Sequence, residues 1–403
     1  MAPAPDVHVS PSRRRFLSHA VALGGLAATP PGTWLTRQWA QAPCDGAAAG
    51  ELVRVLPLYG PGAQDVPLNR MVGASGLDAR QFTDLSGLSA ASLVTPADQV
   101  FVRTSAPPGL DHAAAGWAIA LRPAAGTDGS IVSAAALAAE AAPMGVHLIE
   151  CAGNSNPQNF GLMSAVAWDG VPLTRLLARV PRPPSATGVL IAGVDHDAQG
   201  SRQSLPGASW VLPIAALEQR QPFLAVRMNG QPLTPDHGAP VRLVVPGWYG
   251  CAWIKWVNEL RWVGADEPST SQMLEFAFRT HQDDIPELAR DYRDPDVDTA
   301  AMPIRVEQRR AGGRVEYHVV GVVWGGRDPV ERLIIRFAAR DPGTTFAVCP
   351  RPSSAHTWAL WRYPWRPAEP GYYDITLRAA DPQVRTRRLD LSFYIRRVRI
   401  DEI

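Results

Sequence analysis

An α+β domain followed by an all-β, immunoglobulin-like sandwich is the fold class that this 403-residue sequence predicts. Up to about residue 270, short β-branched runs alternate with short helical patterns without strict βαβ order, which argues against a doubly wound sheet. From about residue 300 the chain holds only strand patterns separated by turn residues at regular spacing, as in a sandwich. No GxGxxG follows a strand, so nothing points to a nicotinamide or flavin nucleotide. The length admits two cores, and the divisions read as a leader at 1–42, a domain at 43–270, and a connection with the sandwich at 271–403. A net charge of +1 with 19% charged residues excludes the basic stripe that a nucleic-acid surface would need.

Taken in order, Ser12-Arg13-Arg14-Arg15-Phe16-Leu17 followed by Ala20–Ala28 reads as a twin-arginine export signal, with a disordered basic tail as the competing reading. Its apolar stretch is too short to span a bilayer. Cleavage is expected after Ala40-Gln41-Ala42 or Ala47-Ala48-Ala49, and the periplasm is the expected location. Residues 43–95, rich in Gly, Pro and Ala, are expected to wrap the domain with little regular structure. Gln99–Arg103 and Trp117–Leu121 read as strands, and Ser133–Ala142 as an Ala-rich helix ended by Pro143. Val146–Ile149 is a buried-strand pattern that runs into Glu150, Cys151 and a polar loop, Gly153-Asn154-Ser155-Asn156-Pro157. Val171–Val180 has helical spacing with Pro172 in its first turn.

Val189–Val194 is a strand pattern ending at Asp195-His196-Asp197, Ile214–Gln219 a short helix, and Phe223–Met228 a strand closed by the turn signal Asn229-Gly230. Val241–Val245 and Ala252–Val263 supply two further strands, and Leu274–Arg293 a polar connection. Beyond it, Ile304–Arg310 and Val315–Trp324 form a hairpin around Ala311-Gly312-Gly313. Arg332–Phe337, Trp358–Tyr363 and Tyr372–Ala380 follow as strands, and the local tryptophans read mainly as sandwich core.

Cys151 is the residue on which the chemistry turns. A cysteine where a core strand meets a polar loop can be fixed at its backbone yet open at its sulfur, which suits a metal thiolate. The competing reading is a small core hydrophobe, and no CxxC or HExxH accompanies it. Arg103 reads as an anion reader or a surface arginine, Asp195 as a ligand acceptor or a solvated acidic turn, and His237 as a donor or a turn histidine in Pro235-Asp236-His237-Gly238. Of the remaining cysteines, Cys44 leaves with the leader if cleavage follows Ala49, while Cys251 and Cys349 read as buried thiols whose pairing stays open.

Cys151-Ala-Gly-Asn154 with Ala167-Trp168 resembles the molybdenum-ligand loop of the sulfite oxidase family. The segment from Met228 to Gly250, continuing to Ile254-Lys255-Trp256, resembles its cofactor-binding segment. The resemblance runs from about Val100 to the C-terminal region, where Gly321–Gly326 and Trp358–Arg362 resemble the family's C-terminal domain, which often forms a dimer contact. It implies molybdenum with a single molybdopterin, Cys151 as metal ligand, and Arg103 facing the metal. Phe101, Arg103, Asp195, His237, Arg242, Ile254 and Lys255 would hold the cofactor, with His237, Arg242 and Lys255 on its phosphate. It also implies two-electron oxo transfer with a small oxyanion or oxide substrate. Because no Cys-x-x-Cys-His haem site occurs here, electrons would pass to an external carrier such as a c-type cytochrome.

Three stretches depart from the family pattern. Thr104 and Ser105 stand where many members carry Asn-His, and Asn156 stands where sulfite-oxidising members carry an arginine. Phenylalanines 276 and 278 occupy the stretch where a tyrosine is expected. Sulfite oxidation is the first expectation, reduction of an S-oxide or N-oxide the second, and a non-catalytic exported scaffold or binding subunit the third.

Overall fold

Short strands dominate the architecture. The longest helix among the described residues, Ala134–Glu140, has 7 residues, so sheets carry the core. The computed structural model describes residues 50–60, 79–104, 115–155, 160–194, 208–349 and 356–403. These fall within one compact unit, Trp39–Ile403. The arginine motif, Ser105, Asn156 and Asp195 lie outside the described residues.

Two sheets build the region that carries the Cys151 loop. One runs Gln231–Pro232, Phe223–Met228, Met163–Pro172, Ala142–Glu150, all antiparallel, with Arg242–Val244 also paired to Phe223–Met228. The other runs Ser130–Ser133, Ala118–Arg122, Val257–Val263, Gly188–Gly193, Ser209–Pro213, with one parallel pair between Ala118–Arg122 and Val257–Val263. A two-stranded ladder joins Ala79–Gln81 to Val102–Thr104. The expected turn at Asn229-Gly230 is present, with φ of 51° and 75°, the left-handed pair that such hairpins require. Asn229 also ties distant chain together: its side chain donates to Thr95 O at 2.8 Å and accepts from Ala167 N at 3.0 Å.

Several expectations need correction. The 171–180 pattern is helical only over Leu173–Leu177, because Val171 and Pro172 complete the strand Met163–Pro172. The Ala-rich helix stops at Glu140, Ser133 is its N-cap rather than its first residue, and Ala142 and Pro143 already belong to the next strand. The expected strand from Ala252 begins only at Val257, after a 3₁₀ turn at Gly250–Ala252. Within 43–95, Glu51–Leu56 is a regular strand, and it pairs with Ala300–Ala311 far along the chain. The connection after residue 270 holds a helix, Ser271–Phe276, capped by Thr270.

From Ala300 onward two four-stranded antiparallel sheets form. The first runs Glu51–Leu56, Ala300–Ala311, Arg314–Trp324, Ala359–Trp365, and the second Thr344–Ala347, Arg332–Arg336, Gly371–Ala379, Arg396–Ile400. Aromatic rings join them: Phe337 stacks on Trp365 at 4.1 Å, and Phe346 meets Trp361 at 5.2 Å. Trp324, Trp358, Trp361 and Trp365 are buried, as expected of core. Cys349 departs from expectation: it is exposed and disulfide-bonded, whereas Cys251 is a buried free thiol, so these two do not pair.

Candidate active site

Cys151 follows directly on the strand Ala142–Glu150, and its N–H donates to Leu162 O at 2.9 Å, which extends the ladder one step past the strand. The loop then folds back on itself. Asn154 N donates to Cys151 O at 3.0 Å, Asn154 Oδ1 accepts from Leu162 N at 3.2 Å, and Gly153 N donates to the Cys151 sulfur at 3.4 Å. The backbone is thereby held while the sulfur lines a cavity of about 410 Å³, within the usual size of a small-molecule site. Burial pushes the Cys151 thiol up, against the Gly153 N–H and the positive charges of Arg103 and Arg279. A thiolate there is favoured by a bound metal cation, as expected of a ligand.

Behind the cysteine sits Glu150, fully buried. Arg387 donates to both its carboxylate oxygens at 2.7 Å, Trp324 Nε1 donates at 2.8 Å and Asn154 Nδ2 at 3.2 Å. Burial alone would lower Arg387, but the Glu150 carboxylate outweighs it and holds the guanidinium well above its ordinary value. Two of these partners, Trp324 at the end of a strand and Arg387 in a loop, lie more than a hundred residues away along the chain.

At the other end of the cavity the expected cofactor residues converge. Arg242 is buried and donates to His237 O at 3.1 Å and Trp253 O at 3.2 Å, and its guanidinium lies 5.4 Å from the Trp168 ring centroid. Lys255 donates to Asp236 O at 2.8 Å and to Arg103 O at 3.3 Å. His237 Nε2 donates to Phe101 O at 3.2 Å, and its Nδ1 accepts from Thr234 Oγ1 at 2.7 Å. Burial first, then the neighbouring Arg242 and Lys255, push His237 down to about 4, so its ring is neutral at pH 7. Gly238 sits at φ +96°, and a Cβ there would come within 2.9 Å of the Lys255 side chain. Phe101, Arg103 and Ile254 also line the cavity.

The residues present fit a metal carried by an anionic organic cofactor. Burial lowers Arg242 to about 9, and among the described residues no carboxylate pairs with it. Its Nε and the Trp168 Nε1 are buried without partners beside the cavity. A phosphate would supply the missing counter-charge, and pterin acceptors the missing hydrogen-bond partners. Among the described residues no group of three His, Cys, Asp or Glu is placed to hold a metal, so those residues alone give a bare ion too few ligands.

Sequence reasoning missed Arg279, Trp168 and Trp253 as lining residues, and the Glu150–Arg387 pair. The 13 tryptophans of the sequence hinted at lining aromatics, but nothing local marks Arg279 or Arg387.

Residues 123–271 match the family model described as the oxidoreductase molybdopterin binding domain. Human mitochondrial sulfite oxidase is 30% identical over 244 residues, which is 53% of this chain and 42% of that protein. Inducible nitrate reductase [NADH] 2 of Glycine max is 34% identical over 125 residues, 27% of this chain and 14% of that protein. The chain spans less than half the length of these relatives. The crystal structure of the sulfane dehydrogenase SoxCD from Paracoccus pantotrophus shares the fold, with a TM-score of 0.61 at 18% identity, covering 83% of this chain and 90% of that one. Fold and site together define a molybdopterin-binding oxidoreductase. The chain is similar to proteins of the sulfite oxidase family, and its cofactor is molybdenum-molybdopterin.

Proposed function

We propose that this protein catalyses two-electron oxo transfer with the cofactor that Cys151 would hold, and with sulfite as the first substrate: sulfite and water give sulfate, two electrons and two protons. The observation that carries this reading is the polarity of the cavity, with an accessible thiol at one end and the buried Arg242 beside neutral His237 at the other. The bound cofactor supplies the two-electron oxo-transfer chemistry. The protein's own residues do the rest. Cys151 ligates the metal, Arg242, His237 and Lys255 hold the phosphate, Phe101 and Ile254 line the cofactor, and Asp195 is assigned to the pterin's donors. Arg103 adds positive charge beside Cys151, where an anion would gather in a site of low dielectric.

The electrons go to a separate carrier, a c-type cytochrome in this reading. The precursor is exported to the periplasm by the twin-arginine route and loses its leader. Residues 271–403 end in an immunoglobulin-like domain that serves as a homodimer contact. Reduction of an S-oxide or N-oxide is the second reading, favoured by the match to a protein named nitrate reductase and by Phe276 at the cavity where a tyrosine is expected.

One experiment decides among these. The purified protein is assayed for molybdenum, then given sulfite with an artificial electron acceptor, and methionine sulfoxide or nitrate with an artificial donor. Sulfite-dependent reduction of the acceptor supports the first reading. Turnover of the oxides alone moves the assignment to the second, and protein lacking stoichiometric molybdenum returns it to a scaffold.

A further inference from the structure

The Cys151 loop separates two cavities. The first holds the cofactor residues; the second, of about 580 Å³, shares Cys151, Ala152, Asn154, Ser155 and Arg279 with it. Arginines 279, 293, 385, 387 and 388 line this second cavity, against Glu150, Asp283 and Asp298. Most of that positive charge is already answered. Arg387 holds Glu150 at 2.7 Å, Arg385 faces Asp298 at 3.3 Å, Arg293 faces Asp283 at 3.3 Å, and Arg388 faces Asp390 at 2.7 Å.

Arg279 differs: among the described residues no carboxylate pairs with it, and its guanidinium rests over the Phe276 ring at 5.6 Å. Its backbone is fixed on a 3₁₀ turn, Phe278–Thr280. The buried Thr280 hydroxyl bonds Tyr292 OH at 2.6 Å, and Gln282 Nε2 donates to Thr280 O at 3.3 Å and to Arg293 O at 2.8 Å. A Cβ on Gly153 would lie 3.7 Å from Arg279 Nη1 and 3.7 Å from the Cys151 sulfur, so both border one gap that glycine leaves open.

We propose that Arg279 is a specificity-determining residue: its planar fork binds the oxygens of an anionic substrate at the junction of the two cavities, beside Cys151. This deepens the oxo-transfer reading and rests on it for the identity of the reaction. The guanidinium offers paired N–H donors matched to two oxygens of a sulfur oxyanion, and a neutral oxide gains less from the same contact. Phe276, which interrupts the expected tyrosine pattern, becomes the platform that orients it.

The test compares wild type with Arg279→Gln, Arg279→Lys and, as a surface control, Arg290→Gln, all molybdenum-loaded to the same level. Sulfate binding is read by titration calorimetry, which needs no turnover, and sulfite oxidation by steady-state kinetics. Arg279→Gln should weaken sulfate binding and raise KM for sulfite by roughly tenfold or more, with kcat changed far less. Arg279→Lys should fall between, because it keeps the charge and loses the fork. KM for a neutral sulfoxide should stay within about twofold. Equal sulfate affinity in wild type and Arg279→Gln, no millimolar sulfate binding by wild type, or an equal loss in Arg290→Gln overturns the proposal. If wild type binds sulfate through Arg279 yet does not oxidise sulfite, the anchor stands and the sulfite reading alone fails.

Discussion

The backing of the Cys151 loop and the basic end of the cofactor cavity treat buried charge in opposite ways. Behind Cys151, on the side of the second cavity, Glu150 and Arg387 are both buried and neutralise one another through two bonds of 2.7 Å, with Trp324 and Asn154 on the same carboxylate. At the basic end, Arg242 is equally buried, and among the described residues it donates only to the carbonyls of His237 and Trp253, with its guanidinium over the Trp168 and Trp253 rings. An ion pair that is complete in itself makes structure, whereas a buried cation without a counter-charge makes a receptor. Burial alone does not make the distinction. Arg396 is also buried, is lowered to about 9 and among the described residues bonds only Ile395 O and the Met302 sulfur, yet it lines neither cavity. The open space beside Arg242 is what turns an uncompensated charge into a site.

The sharpest contrast at the sulfur end is between its two thiols. Cys151→Ser replaces a soft thiolate by a hard hydroxyl at nearly constant volume, so cofactor should still load through Arg242, His237 and Lys255. We expect turnover to fall roughly a thousandfold or more and the sulfur-to-molybdenum charge-transfer absorption to vanish, as read by assay and visible spectroscopy. Cys251→Ser should keep both; a Cys251→Ser protein that behaves as expected for Cys151→Ser transfers the ligand assignment.

Next in size is the ion pair. Arg387→Met leaves Glu150 charged, buried and unpaired, which should cost roughly 3–5 kcal/mol in urea unfolding of the cofactor-free chain. Adding Glu150→Gln to it should restore part of that loss. If the single substitution is neutral, the pair does not organise the loop.

The basic end should show itself in pH. His237 is held at about 4 against an ordinary 6.5, so the fold favours its neutral form. Its contribution is complete above pH 6.5 and is lost as pH falls toward 4, amounting to roughly 3 kcal/mol for the cofactor-free chain. His237→Gln should flatten thermal stability across this window, and cofactor loading should reduce the acid loss, because a phosphate favours the imidazolium. An unchanged slope in His237→Gln removes the assignment.

The smallest expected effect inverts the Arg387 result. Arg242→Met should leave the cofactor-free chain as stable as before, since it removes a buried cation that lacks a counter-charge. Molybdenum loading at limiting cofactor should fall by roughly ten- to a hundredfold, measured by metal analysis. A large stability loss with normal loading would reverse the roles assigned to the two arginines.

Local pattern made much of this legible. Val146–Ile149 running into Cys151 showed where a strand would present a thiol, and Phe223–Met228 with Asn229-Gly230 is present as read, because alternation and turn chemistry act over a few residues. The basic set was legible through its sequence context: His237, Arg242, Ile254 and Lys255 lie within one stretch that folds upon itself. Helix ends were misread where proline and β-branched residues compete, as at Val171 and Pro172. The strand Glu51–Leu56 was invisible because its pairing partner lies beyond residue 299.

By itself, then, the chain determined which residues could ligate a metal and hold a phosphate, because those capacities belong to side chains and their immediate neighbours. Tertiary structure alone decided that Arg387, 237 residues away, would close onto Glu150, that Arg279 would reach the Cys151 loop while Arg242 kept an open space before it, and that Cys349 would be bonded while Cys251 stayed free. Long-range pairing carries no local periodicity. It is set by which surfaces bury together when the sheets pack, and charge that finds no partner in that packing is left to bind something else.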